Sequence, residues 1–571
     1  MAHPQVPPDP ARVFPVARRE RSVHAGRGAS HVVRLVCHLV PTPVHGARDD
    51  ATTRTSTVSA RVGRAEPLLV ALCVLTGAVL RFTPSSPLWL DEALTVNIAS
   101  APLGDIPDLL RHDGHPPLYY FLLHGWIELF GIGAFAVRAL SGLLGLAVMA
   151  VTYVVARRAG GVRLARLSVA VLAMSPFAIR YSSEARMYQL VTLLALVGWW
   201  LVDRALFAPD RRDGGPVDRW VLTALWLVAG ALLLSHYWAI FFLAACGLGL
   251  VWGAWRAPTP ARRRSFVEVI VAIALGGVWF VPWISAFRYQ SAHTGTPWAP
   301  ASRPTRVLSE SLSDWAGGID PEALLLIAVL AALALVGLFG RGTEHGRVEL
   351  SGIAPGWRRR VLWVIGATFT IGAAASLVSS AAFAGRYSSV VFPFFVLLVG
   401  AGLATAPNAT VRVGALALVA LLSAGAVALA ISRDRTQAGA VAAVVRADAA
   451  AGDLVVVCPD QLGPAVSRLV EREDVRIVRY PDLGDPRFVD WVDYAQRLER
   501  VSVADVADRL LAEAGPHTLW LVWSGGYRVA GPQCDELAAR LIATRPGAVP
   551  LVQADPVRYF ESSSLIRLAA R

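Results

Sequence analysis

Long apolar runs constrain this chain more than any other feature of its sequence. Eleven of them, near residues 67–83, 136–156, 164–183, 187–207, 219–236, 238–255, 266–286, 320–340, 361–381, 388–405 and 411–431, are long enough to cross a hydrocarbon layer of ~30 Å. A soluble core cannot hide so much apolar length, so the chain reads as an all-α polytopic membrane protein with about eleven transmembrane helices. Composition agrees, with 55% hydrophobic and only 17% charged residues in 571. The net charge of +12 is due to arginine alone, because the sequence has no lysine. That bias reads as a codon effect of a G+C-rich genome, and no nucleic-acid partner is expected from it.

Residues 1–64 are rich in Pro, Arg, Ser and Thr and show no apolar periodicity, so they are expected to form a disordered, basic cytoplasmic tail. Residues 65–431 hold the membrane segments. From 432 to 571 the pattern changes: "GDLVVVCPD", "VRIVRYPD", "HTLWLVWSGG" and "VPLVQA" read as short strands, and "GPAVSRLVERE" and "QCDELAARLIATRPG" between them as amphipathic helices. Strands alternating with helices predict a small α/β domain. Five cysteines, Cys37, Cys73, Cys246, Cys458 and Cys534, show no metal-ligand spacing and read as isolated small apolar residues. Cys458 and Cys534 share the C-terminal region, where a disulfide is open to them without any pattern requiring it.

The segment 116–131, "PPLYYFLLHGWIELFG", is apolar but short and broken by Gly, His and Glu. Arginine placement decides how to read it, because short cytoplasmic loops collect positive charge. If it lies in the interface and does not span, the cytoplasmic loops that follow hold eighteen arginines and the opposite loops six. Letting it span inverts every later loop. With it interfacial, "LDEALT", "RHDGHPPLYY", "IRYSSEARMYQ", "SHYW" and "FAGRY" all emerge on one extracytoplasmic side, as does the C-terminal region.

Polar and ionisable groups gathered at that face are candidates for chemistry. Asp91 and Glu92 follow Trp89 at the outer end of the first span, and the plain alternative is that they cap the helix begun by "EALTVNIAS". Arg111, His112, Asp113 and His115 precede two prolines that fix the chain entering the next apolar segment. Arg180, Glu184 and Tyr188 sit four residues apart, so one continuous helix puts them on a shared face, where a salt bridge is the plain reading. Arg186 falls off that face and is free to meet an anion. His236 and Tyr237 end another helix, and Arg386 with Tyr387 follows Gly385, placing a guanidinium fork whose geometry suits phosphate oxygens.

The ordered series "LDEA", "HPPLYY", "VRALSGLLG", "SPFAIRYSSEARMYQ", "HYW" and "GRYSSVVFPFF" resembles the GT-C superfamily of integral-membrane glycosyltransferases. The likeness is to the branch of protein O-mannosyltransferases and lipid A aminoarabinose transferases, glycosyltransferase families 39 and 83. It implies an inverting transfer of a sugar, mannose or another hexose or pentose, from a polyprenyl-phosphate donor to a glycan, lipid or protein acceptor of the cell envelope. Asp91 then matches the first-loop acid at the reaction centre, with Glu92 supporting it. His115, Arg138, Arg186 and Arg386 are the cationic partners expected for the donor phosphate. Asp113, Tyr119, Glu184, Tyr188, His236, Tyr237 and Tyr387 are expected to line the substrate site. Gly114 stands where some relatives have a metal-binding carboxylate. A divalent metal therefore stays open as a cofactor, with His236 as one candidate ligand. A transporter or flippase of lipid-linked envelope intermediates is the alternative, and such folds often show repeated halves; the sequence has no such repeat.

Overall fold

The computed structural model describes residues 65–570, apart from short breaks at 85, 209–210, 212–213, 296–302, 344–346, 354, 380–382 and 546. The tail expected over 1–64 lies outside the described residues. Helix α1 (Ala65–Leu80) leads into three short helices, α2 (Leu90–Ala99), α3 (Ile106–Asp113) and α4 (Leu118–Phe130). α4 is the apolar segment read as interfacial. Then come α5 (Ala134–Met174), α6 (Pro176–Ser182), α7 (Tyr188–Leu206), α8 (Arg219–Leu233) and α9 (Trp238–Trp255). α10 (Pro260–Leu275) continues through a 3-10 stretch holding Pro282 into α11 (Ile284–His293). The series closes with α12 (Pro304–Ala316), α13 (Pro321–Phe339), α14 (Trp357–Ser379), α15 (Phe392–Thr405) and α16 (Ala409–Ser432), with a small hairpin of β1 (Gly340–Gly342) and β2 (Val348–Leu350) after α13.

Among the described residues seven helices are long and apolar enough to cross a membrane, and three shorter apolar ones accompany them. The difference from eleven predicted runs is partly a matter of continuity. α5 holds two of those runs, 136–156 and most of 164–183, joined through a break at Gly160 and Gly161, where Gly161 has φ 81°. Only glycine enters that left-handed region freely.

Close helix contacts rest on small residues, as expected where no hydrophobic force separates helix from lipid. A Cβ on Gly337 of α13 would lie 2.0 Å from the Leu398 carbonyl oxygen of α15, and one on Gly402 of α15 would lie 1.9 Å from the Leu333 oxygen. Gly77 of α1 sits against the Ala173 backbone of α5 in the same way. Nearby, buried Arg81 donates to the carbonyls of Leu172 and Ala173, at 3.1 and 2.9 Å, in the last turn of α5, where carbonyls lack their full helical partners.

After α16 the chain forms α17 (Ala438–Asp448), β3 (Leu454–Cys458), α18 (Gly463–Val470), β4 (Arg476–Arg479), α19 (Tyr494–Glu499), α20 (Val503–Ala514), β5 (Leu519–Trp523), α21 (Gly531–Thr544), β6 (Val549–Val552) and β7 (Ser564–Leu568). The sheet order is β4-β3-β5-β7-β6, parallel across β4, β3 and β5 and antiparallel at β7 and β6. Strand alternation sends Val455, Val457 and Trp520 toward α17 and α18, and Leu454, Val456 and Leu521 toward α19, α20 and α21. A disulfide joins Cys458 at the end of β3 to Cys534 on α21. The four predicted strands and two predicted helices are present. β7, α17, α19 and α20 come in addition.

Candidate active site

Helix α2 begins at Leu90 with Trp89 as its N-cap residue, so Asp91 and Glu92 lie inside the first turn and neither is the cap. Their environments differ completely. Glu92 is fully buried and receives Arg138 in a fork, Nε to Oε1 at 2.8 Å and Nη2 to Oε2 at 2.6 Å, while the Ala185 amide donates to Oε1 at 3.0 Å. Arg138 spends its remaining donors on the carbonyls of Ser86 and Pro87. This pair closes on itself and holds α2 against α5 and the segment after α6. Asp91 instead keeps a partly exposed carboxylate, with Arg386 Nη1 at 3.3 Å from Oδ2.

A second network meets the same turn. Arg186 donates to Thr95 Oγ1 at 2.7 Å, to the Asp91 carbonyl at 3.4 Å and to His115 Nε2 at 3.0 Å. An arginine can only donate, so His115 accepts at Nε2 and its Nδ1 proton faces Asp113 Oδ2, 2.9 Å away. Tyr120 donates to the same Asp113 oxygen at 2.7 Å. Burial alone pushes the Asp113 carboxyl up, but His115, Arg186 and the Tyr120 hydroxyl outweigh it and hold it down to about 2. Gly114, at φ 86°, ends α3 in the left-handed region, and a Cβ there would lie 2.9 Å from Thr294 Oγ1. A carboxylate-bearing residue at that position is thus disfavoured by the backbone itself.

The Arg180, Glu184 and Tyr188 face predicted for one helix is not formed. α6 stops at Ser182 and α7 starts at Tyr188. Glu184 lies in the break, paired with Arg435 and, at 3.7 Å, with Arg180. Tyr188 stacks near His236 at 6.0 Å, and His236 lies 5.0 Å from Tyr387 between ring centroids. Tyr119 is bound to Ser141 at 2.9 Å. Tyr237 donates to Gln290 and accepts from Trp283 Nε1 at 3.0 Å, so its hydroxyl serves packing. Three buried donors at the cluster have no partner among the described residues: Arg186 Nε, Arg386 Nε and the Tyr188 hydroxyl. Buried donors without acceptors are costly and point to a group they bind.

The geometry thus brings together Asp91, Asp113, His115, Arg186, Arg386, Tyr188, His236 and Tyr387. It sets Glu92, Arg138, Tyr119, Glu184 and Tyr237 in supporting contacts. Thr95, Tyr120 and Arg435 escaped the sequence reading; Tyr120 alone had a visible signal, as the second tyrosine of "HPPLYY". Among the described residues no group of three or more His, Cys, Asp or Glu is arranged to hold an ion. His236 Nδ1 accepts from the Trp238 amide at 3.1 Å. The described residues therefore do not form a fitting metal set.

Two cavities lie among the helices, one of them bordered by Arg386 of this cluster. One, of about 530 Å³, is lined by Arg180, Tyr181, Arg306, Glu310, Asp314 and Arg386, among others. The other, of about 880 Å³, runs between α7, α8, α9, α10 and α14 and is lined by apolar residues such as Trp199, Leu225, Leu232, Phe242 and Trp252. None of the polar cluster lines it, though its lining residue Leu232, in the last turn of α8, precedes His236 by four residues.

Residues 114–285 match the family model described as dolichyl-phosphate-mannose-protein mannosyltransferase. The fold is similar to that of ArnT from Cupriavidus metallidurans. In the apo state that structure shares 15% identity and a TM-score of 0.55, covering 89% of this chain and all of that one. Its complex with undecaprenyl phosphate gives 14% and 0.52, covering 88% and 98%. No curated protein matches the chain.

Proposed function

Because the chain has a GT-C fold related to the O-mannosyltransferases and ArnT, we propose that it transfers a sugar from a polyprenyl phosphate to an extracytoplasmic acceptor of the cell envelope, with Asp91 as general base. The observation that carries this reading is a partly exposed carboxylate, Asp91, paired with Arg386, with Arg186 on the Asp91 backbone carbonyl, both arginines keeping a buried Nε that has no partner among the described residues. A sugar phosphate ester needs both: a base for the incoming hydroxyl and cations for the departing phosphate.

Asp91 takes the proton of the acceptor hydroxyl as its oxygen bonds to the anomeric carbon. The bond from that carbon to the phosphate oxygen breaks on the opposite face, and polyprenyl phosphate leaves with the electron pair, giving inversion. Arg386 and Arg186, with the Tyr188 hydroxyl, receive the charge that develops on the phosphate. The 880 Å³ apolar cavity offers room for a lipid chain, and the 530 Å³ polar cavity bordered by Arg386 offers a route for the acceptor.

An extracytoplasmic site is supported by the arginine asymmetry of the loops. It is supported again by the Cys458–Cys534 disulfide, since such bonds persist mainly in oxidising compartments. The test is to incubate the purified protein with a panel of labelled polyprenyl-phosphate sugars and envelope extracts. Transfer from one donor establishes the class and the sugar; flipping of the lipid without transfer supports a transporter instead.

A further inference from the structure

The N-terminus of α2 is held from the far end of the chain. Trp89, its N-cap residue, makes no side-chain cap. The Leu90 amide instead donates to Glu561, at 2.9 Å to Oε1 and 3.2 Å to Oε2, across 471 residues of sequence. Glu561 is buried, 3% exposed. Its own backbone is fixed on both sides: its amide donates to the Arg435 carbonyl at 2.8 Å, and its carbonyl accepts from the Gln437 amide at 3.0 Å. Beside it, Phe560 meets the edge of the Trp89 ring at 5.7 Å, and the Arg435 guanidinium lies 5.7 Å over that ring while pairing with Glu184. Residues 435–437 and 560–561 thus form a clasp around Trp89 and Leu90.

We propose that Glu561 is a positioning residue for the transfer reaction: by capping Leu90 it fixes the first turn of α2 and with it the direction of the Asp91 carboxylate. The inference rests on the reading of Asp91 as base. Asp91 is one residue beyond the capped amide, and its carboxylate must meet an acceptor oxygen while staying 3.3 Å from Arg386. Small displacements of a catalytic group cost rate steeply, on the order of 10²-fold for 1 Å. An uncapped first turn frays, and fraying here swings Asp91 and leaves Glu92 anchored by Arg138. The cap needs an acceptor oxygen but no charge, so an amide side chain of equal length suffices.

The experiment compares Glu561→Ala, Glu561→Gln and Glu561→Asp with Asp91→Asn in the full-length protein. It uses the donor that the panel selects for turnover and sugar-free polyprenyl phosphate for binding. Glu561→Ala is expected to lower kcat about tenfold or more with KM and polyprenyl phosphate affinity unchanged, and Glu561→Gln to restore wild-type kcat. Glu561→Asp, which withdraws the acceptor by one methylene, is expected to lose kcat and serves where the alanine variant does not fold. Amide exchange over 90–94 should quicken in the variants that lose turnover. Wild-type kcat in folded Glu561→Ala or Glu561→Asp, or a loss in Glu561→Gln, overturns the positioning role. Retained turnover in Asp91→Asn overturns the base assignment instead, so the two failures are told apart.

Discussion

Glu92 and Arg138 are locked in a two-pronged ion pair, 2.8 and 2.6 Å, one residue away from a carboxylate whose partner is a single guanidinium nitrogen at 3.3 Å. Adjacent acids therefore have different surroundings: Glu92 anchors α2, and Asp91 keeps the partly exposed carboxylate that the proposed reaction uses as base.

From the anchoring role it follows that Glu92→Gln and Arg138→Lys act on stability. Each leaves part of a buried pair uncompensated, at a cost of about 3–5 kcal/mol for a fully broken one. Melting temperatures of both variants should fall, and whatever folded protein remains should bind polyprenyl phosphate normally. Weakened binding with wild-type stability would return Arg138 to the phosphate site.

Arg186→Lys and Arg386→Lys keep the charge but lose the planar guanidinium whose buried Nε is proposed to meet the phosphate. Affinity for polyprenyl phosphate should drop about tenfold, ~1.4 kcal/mol, at either position. Titration calorimetry or fluorescence in nanodiscs reads it; unchanged affinity in both removes these arginines from the phosphate.

A reporter fused after Arg433 should be exported, and one near Arg263 should stay cytoplasmic. Replacing Cys458 and Cys534 by serine should lower the stability of the C-terminal region by about 2–5 kcal/mol. A cytoplasmic reporter after Arg433 would split the proposed site from the face the arginine count assigns to it.

Glu561 also predicts a pH dependence. Burial pushes its carboxyl up, and Asp91 and Glu92 nearby add to that against the Leu90 amide and Thr436, so it titrates at about 8 instead of 4.5. Between these values the folded protein binds a proton that the unfolded chain has released. Stability should therefore fall as pH rises through that window, and the loss is complete above it. Glu561→Gln carries no such proton, so its melting temperature should gain on the wild type as pH rises from 4.5 to about 8. A constant difference would contradict the shift.

The membrane segments are legible because a span must be apolar over most of its length, and the order of polar motifs between them picks out Asp91, His115, Arg186 and Arg386, which the structure brings to one cluster. What the sequence hid was set by contacts distant in the chain. "DE" gives no sign that Arg138 claims the second acid. The i,i+4 spacing of Arg180, Glu184 and Tyr188 suggested one helix, whereas the turn between α6 and α7 falls inside it. β7, "SLIRL", is short, carries Arg567 and follows a polar stretch, so its burial beside β5 shows only once the sheet is assembled. Glu561 and Arg435 lie in unremarkable local sequence and gain meaning from Leu90 and Glu184.

In the proposed transfer Asp91 takes the acceptor proton. Asp91→Asn preserves shape and leaves the capped helix start untouched, since Leu90, not residue 91, receives the cap. Turnover in Asp91→Asn, measured with the selected donor alongside polyprenyl phosphate affinity and thermal melting, should fall by about 10²-fold or more with binding and folding intact. Near-wild-type turnover in that variant would contradict the account at its centre.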